Sequence, residues 1–216
     1  MREAFHDQLD SVFDDLVDIS RLVGVAVEEA TRALLTGDAA LAEQVISADA
    51  AIDLARERVE DKAFALLSLQ APVAGDLRLV VAGLRMVSEL ERMGDLSVHV
   101  AKVARLRAPA VAVPETVRPT VVRMAEVARD MVAQVTRIVA ERDVEAAHSL
   151  ARDDEEMDLL RRSSFAVLLG KDWPHGVEAA VDVALLGRYY ERIADHAVSV
   201  GRRVVFVVTG SPLLSE

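Results

Sequence analysis

Glu91-Arg92-Met93-Gly94-Asp95 returns one hundred residues later as Glu191-Arg192-Ile193-Ala194-Asp195, and this recurrence decides the fold. A second pair of segments keeps the same order upstream: Asp49-Ala-Ala-Ile-Asp53-Leu54 matches Asp154-Glu-Glu-Met-Asp158-Leu159 at an offset of 105. Gly37-Asp38 lies eleven residues before Asp49, and Asp143 lies eleven before Asp154. The five-residue change of offset falls between the two segments, where a connection between helices absorbs length at little cost. Two copies of one unit, related by duplication, are the simplest account.

Each unit reads as three helices. Phe5, Leu9, Val12/Phe13, Leu16, Ile19/Ser20, Val23 and Val27 recur at spacings of three and four, the period of an amphipathic helix. Thr36-Gly37-Asp38 ends that helix, with Gly suited to the position after a helix and Asp38 suited to cap the next. The second helix runs to about Gln70, where Ala71-Pro72 stops it, and the third from about Ala74 to Arg107. Residues 108–119 hold three prolines without helical period and read as a connector. Helices over about 120–141, 143–169 and 175–209 follow, with Gly170 to Gly176 breaking the last pair and Thr209-Gly210-Ser-Pro212 closing regular structure. The expected fold is all-α, two tandem three-helix bundles: 1–107, a proline-rich connector at 108–119, and 120–216.

Composition narrows the function. Hydrophobic residues make up 52% and charged residues 28%, a mixture that suits amphipathic helices and excludes disorder. The formal net charge of −11 argues against nucleic-acid binding, which depends on neutralising phosphates with Lys and Arg. A metal ion or a basic protein surface suits the charge. The absence of cysteine removes disulfides, thiolate metal sites and cysteine nucleophiles together. The acidic N-terminal segment lacks a secretory pattern, and Val204 to Val208 is too short to span a bilayer, so a cytoplasmic protein is expected.

Carboxylates four apart share a helix face, so Glu91 with Asp95, and Glu191 with Asp195, each stand together beside an apolar stripe. The stripe is Leu84, Val87, Glu91, Gly94, Val98 and Ala101 in the third helix, and Ala184, Gly187, Glu191, Ala194, Val198 and Gly201 in the sixth. A carboxylate there needs a positive partner. Arg92 and Arg192 would supply it as a salt-bridge network; a metal would supply it otherwise. Asp49 with Asp53, and Asp154 with Asp158, form a second set in register with the first. Oxygen-only ligands suit hard cations such as magnesium, calcium or manganese, and also iron. A ferritin-like di-iron core needs two Glu-x-x-His pairs, and only Glu145-Ala-Ala-His148 has that form. His99 follows Asp95 by four residues, but Ser199 stands at the matching position, which favours a half-exposed surface histidine. His6, His175 and His196 follow no metal spacing, and no glycine-rich phosphate loop or nucleophile elbow occurs.

With the repeat and its register, Glu-Arg-(Met/Ile)-(Gly/Ala)-Asp resembles the PhoU family of phosphate-signalling regulators, in an actinobacterial-type form, over nearly the whole chain. Ala74-Gly-Asp76-Leu-Arg78 is similar to the family's approach to that motif; Gly176-Val-Glu178-Ala179 departs from it. The resemblance implies a cytoplasmic, non-enzymatic adaptor, expected as a homodimer. It would couple the ATPase subunit of a phosphate ABC transporter to a sensor histidine kinase, meeting the membrane only peripherally, and repress the phosphate-starvation response. It also implies metal binding, by iron, zinc, manganese or magnesium, at Asp49, Asp53, Glu91, Asp95, Asp154, Asp158, Glu191 and Asp195. The competing reading is a carboxylate-bridged metal-storage bundle or metalloenzyme.

Overall fold

The computed structural model describes residues 2–211, with side chains from Phe5 onward. Six helices follow in order: α1 (Arg2–Thr36), α2 (Ala39–Gln70), α3 (Ala74–Arg107), α4 (Arg118–Glu141), α5 (Val144–Leu168) and α6 (Gly176–Thr209). All the described regular structure is helical. The stop at Pro212 lies outside the described residues. No helix among them is long and apolar enough to cross a membrane.

The helix ends follow local chemistry. Asp38 accepts from the Leu41 amide and Asp143 from the Ala146 amide, each at 3.0 Å, so both repeats cap their second helix alike. Gly37 ends α1 with φ +68°, and a Cβ there would lie 2.9 Å from the Pro109 carbonyl oxygen. The matching Arg142 takes φ 52°, its side chain pairing with Asp10 at 2.8 Å and lying over the Phe13 ring at 4.7 Å. α4 starts at Arg118 rather than after Pro119, because proline in the first turn lacks only an amide that has no intrahelical acceptor.

Within each repeat the three helices pack on one another, and the repeats meet where α1 lies on α4 and α3 on α6. Both of those pairs are antiparallel. In one, Arg142 reaches Asp10 while Arg118 donates to the Leu35 carbonyl at 3.1 Å. In the other, Arg78 lies over Phe206, Glu89 meets His196, His99 stacks on Tyr189 and Arg107 pairs with Asp182. α1, α3, α6 and α4 thus form a central four-helix bundle, with α2 on the α1/α3 edge and α5 on the α4/α6 edge. The α1 stripe from Phe5 to Val27 is buried throughout, and one core cluster runs through both repeats. Val204, Val205 and Val207 are buried in it, so that apolar run closes a core helix.

Candidate functional site

The same order of packing places α2, α3, α6 and α5 side by side along one face. A matched acidic cluster lies in the α2/α3 groove and again in the α5/α6 groove. Small residues set the approach. A Cβ on Gly94 would lie 2.9 Å from Ile52 Cδ1 and 3.4 Å from Asp49 Oδ1, so α3 sits tightly on α2 beside the aspartate. In the second repeat the tight position moves along the helix to Gly201, where a Cβ would meet Leu150 Cδ1 at 2.9 Å. The stripes read from sequence therefore face α2 and α5.

All four carboxylates of each repeat gather there. Asp49 is half-buried, and its pKa rises to about 6, first through desolvation and then through the charges of Asp53, Asp95 and Glu91. Asp154 rises to about 6 as well, through desolvation and then Asp195, Asp158 and Glu191. Glu91 is raised by desolvation and then Asp95; Asp195 by desolvation and then Glu191. Each cluster thus holds more negative charge than its surroundings offset.

Arginines supply part of that offset, though not the pair expected. Arg92 serves its own motif, at 3.2 Å from Asp95 and 3.7 Å from Glu91. Arg192 is exposed and pairs with no carboxylate among the described residues. Glu191 is held instead by Arg188 and by Arg161, whose Nε stands 3.4 Å away. Arg161 also approaches Asp158 at 4.0 Å, and Arg162 reaches the same aspartate at 3.4 Å. The Glu191 side chain is 10% exposed against 20% for Glu91, so the second cluster is the more enclosed.

Arg161 and three further basic residues of the site follow the repeat register. Arg56 and Arg161 match at the offset of 105, each seven residues after the first aspartate of its cluster. Lys102 and Arg202 match at the offset of 100, each seven after the motif aspartate, and they lower Asp49 and Asp154 respectively. The repeat therefore duplicates cations as well as acids. The spacing of the carboxylates carries no signal of these cations; only the register of the basic residues does.

The donors suit an oxygen-preferring cation in chemistry but not in arrangement. Among the described residues no three acidic or histidine side chains are placed to hold one ion. Arg56 keeps a buried Nε without a hydrogen-bond acceptor in the first groove, and the buried Nε of Arg161 meets Glu191 as an ion pair without hydrogen-bond geometry. Glu145 and His148 are exposed at the start of α5. His99 is exposed on Tyr189, with ring centroids 5.3 Å apart. Of the run Asp153 to Glu156, Glu156 binds Arg123 through both oxygens at 2.7 and 3.0 Å, and Asp153 accepts from Gln134 at 2.6 Å. Asp153 and Glu156 thus fasten α5 to α4, while Asp154 faces the α5/α6 cluster and Glu155 is exposed.

A family model described as the PhoU domain matches residues 16–104 and 121–204. The chain is 48% identical over 211 residues to the phosphate-specific transport system accessory protein PhoU homolog 2 of Mycobacterium tuberculosis, covering 98% of this chain and 99% of that one. Homolog 1 of the same organism is 44% identical over 210 residues, with 97% and 95% covered. The solved structure of PhoU from Pseudomonas aeruginosa superposes with a TM-score of 0.87 at 26% identity, over 96% of this chain and all of that one. The phosphate transport system regulatory protein PhoU from Streptococcus pneumoniae has the same fold, with a TM-score of 0.88 at 24% identity over 98% of this chain.

Proposed function

The chain belongs to the PhoU family, and from that premise we propose that it is a non-catalytic regulator of phosphate uptake, acting through protein contacts at the cytoplasmic side of a phosphate transporter. The single observation carrying this reading is the pair of matched acidic clusters on one face of a two-repeat fold that its relatives share end to end. Clustered carboxylates with raised pKa values suit recognition of a basic surface, where charge sets orientation and association rate more than affinity. The finer proposal is that the transporter ATPase and a sensor histidine kinase supply those surfaces, so that the protein represses starvation genes when phosphate is plentiful. Co-purification of the tagged chain with both components, in cells grown at high and at low phosphate, tests it. Capture of either one that depends on phosphate supports the reading; capture of neither under both conditions overturns it.

Cation dependence is the second part of the proposal, favoured by the excess charge at Asp49 and Asp154. Asp49, Asp53, Glu91 and Asp95 would hold a cation in the first repeat, and Asp154, Asp158, Glu191 and Asp195 in the second, once they leave their arginines. Such an ion would neutralise the clusters and bias recognition by favouring one state over another. The open first cluster would load before the arginine-held second. Metal analysis of protein purified without chelator, beside Glu91→Ala and Glu191→Ala, decides: metal lost mainly with Glu91→Ala supports this order, and metal-free wild type removes the proposal. A homodimer belongs to the same reading, and sedimentation equilibrium tests it.

A further inference from the structure

Between the two acidic grooves runs the α3/α6 seam, whose charge is opposite. On α3, Arg78, Arg85 and Arg92 stand seven residues apart, a spacing that returns to one helix face every two turns. The cross-pairs Glu89–His196 and His99–Tyr189 bracket Arg92 and Arg192, so the two motif arginines stand opposite each other at the middle of the seam. Arg203 follows His196 by seven residues on the same face of α6. The acid within this stretch, Glu89, is already taken by His196 Nδ1 at 2.6 Å. In a chain with 36 acidic and 25 basic residues, most arginines on other faces find a carboxylate. Arg85, Arg192 and Arg203 find none among the described residues, and Arg78 and Arg203 each keep a buried Nε–H with no acceptor.

We propose that this seam is a docking strip for one acidic helix of a partner protein, with its carboxylates received by Arg85, Arg192 and Arg203 beside Arg92, which already meets Asp95 and Glu91. From Arg78 to Arg92 the arginines recur about every 10 Å, the repeat of an acid row at i and i+7 on a helix laid along the seam. The flanking acids choose among anionic partners. Glu91 and Asp95 stand on one side of Arg92, and Glu191 and Asp195 on the outer side of Arg192. A planar anionic membrane or a duplex with charge on all sides would be pressed against the more exposed cluster acids, Asp53, Asp95, Asp158 and Asp195. A single helix touches the seam alone. Phe206, beneath Arg78 at 5.7 Å, adds apolar contact at one end. The inference does not depend on what binds the acidic clusters, since it concerns residues between them.

The test uses the full chain and a fluorescein-labelled, alanine-based helical peptide of about 22 residues with glutamates at i, i+3 and i+7, read by anisotropy at low ionic strength. The wild type binds, and the double variant Arg85→Glu/Arg192→Glu binds at least about tenfold more weakly. The double variant Arg58→Glu/Arg137→Glu, which alters exposed arginines on α2 and α4, leaves binding unchanged. Thermal melts of both variants establish that each is folded. No binding by wild type overturns the proposal, as does equal weakening by the control. Seam-dependent capture by phosphatidylglycerol vesicles or by an oligonucleotide, without capture of the peptide, also overturns it in favour of those partners.

Discussion

Asp49 and Asp154 carry the charge imbalance of the two grooves, and their titration makes it measurable. Each moves from an ordinary pKa of 3.8 to about 6 on folding, so the native state binds more protons than the unfolded chain between those values. Their contribution to stability is present below that window and falls as pH rises through it. Glu91 and Asp195, also raised, act in the same direction. In chelator the chain should therefore melt at a lower temperature at about pH 7.5 than at about pH 5. Asp49→Asn and Asp154→Asn should each raise the neutral-pH melting temperature and flatten the profile; scanning calorimetry checks both. Gly94 makes a different residue-scale case. Its added Cβ would meet the flexible end of Ile52, so Gly94→Ala trades a small shift against better helix propensity and should be near neutral. Gly94→Leu forces α3 away from α2 and should cost about 1–3 kcal/mol in urea unfolding.

At the scale of elements, α6 joins the repeats. Tyr190 is 1% exposed, and its hydroxyl meets Thr31 Oγ1 at 2.9 Å, tying α6 to α1 across the central bundle. Thr31 also donates to the Val27 carbonyl at 2.8 Å, so it accepts the tyrosine proton. Tyr190→Phe should cost roughly 1 kcal/mol in urea denaturation, with the helix content of the native state unchanged. The end of α3 is fastened independently, where Arg107 holds the buried Asp182 through two bonds at 2.6 and 3.2 Å and also meets Glu178. Departure from the Asp-Leu-Arg pattern at the start of α6 thus has a local use, since Glu178 serves this junction.

For the whole molecule, the decisive feature is that the two units are not separate bodies. α1 on α4 and α3 on α6 make the inner faces of both repeats one core. The first half cannot keep its α1 and α3 faces dry alone, nor the second its α4 and α6 faces, so unfolding should be a single transition. Trp173, the chain's one tryptophan, lies in the α5–α6 connection and reports on the second repeat. Its fluorescence should follow the same urea curve as far-UV circular dichroism, which reports both repeats. An earlier tryptophan transition would show independent domains.

The Glu-Arg-x-x-Asp recurrence, the 3.6-residue periodicity and the punctuation at Gly37, Pro72 and Gly170 by themselves determined six helices, two copies and which carboxylates share a face. Those properties are local and follow from backbone geometry and spacing. Tertiary structure alone decided that Glu191 answers to Arg161 and Arg188 rather than to Arg192. It also decided that Glu89 meets His196, and that Arg85, Arg192 and Arg203, which meet no carboxylate among the described residues, line one seam. Each of those pairings joins residues on different helices or different turns, and a helix face carries no record of which neighbour will cover it until the whole bundle has packed.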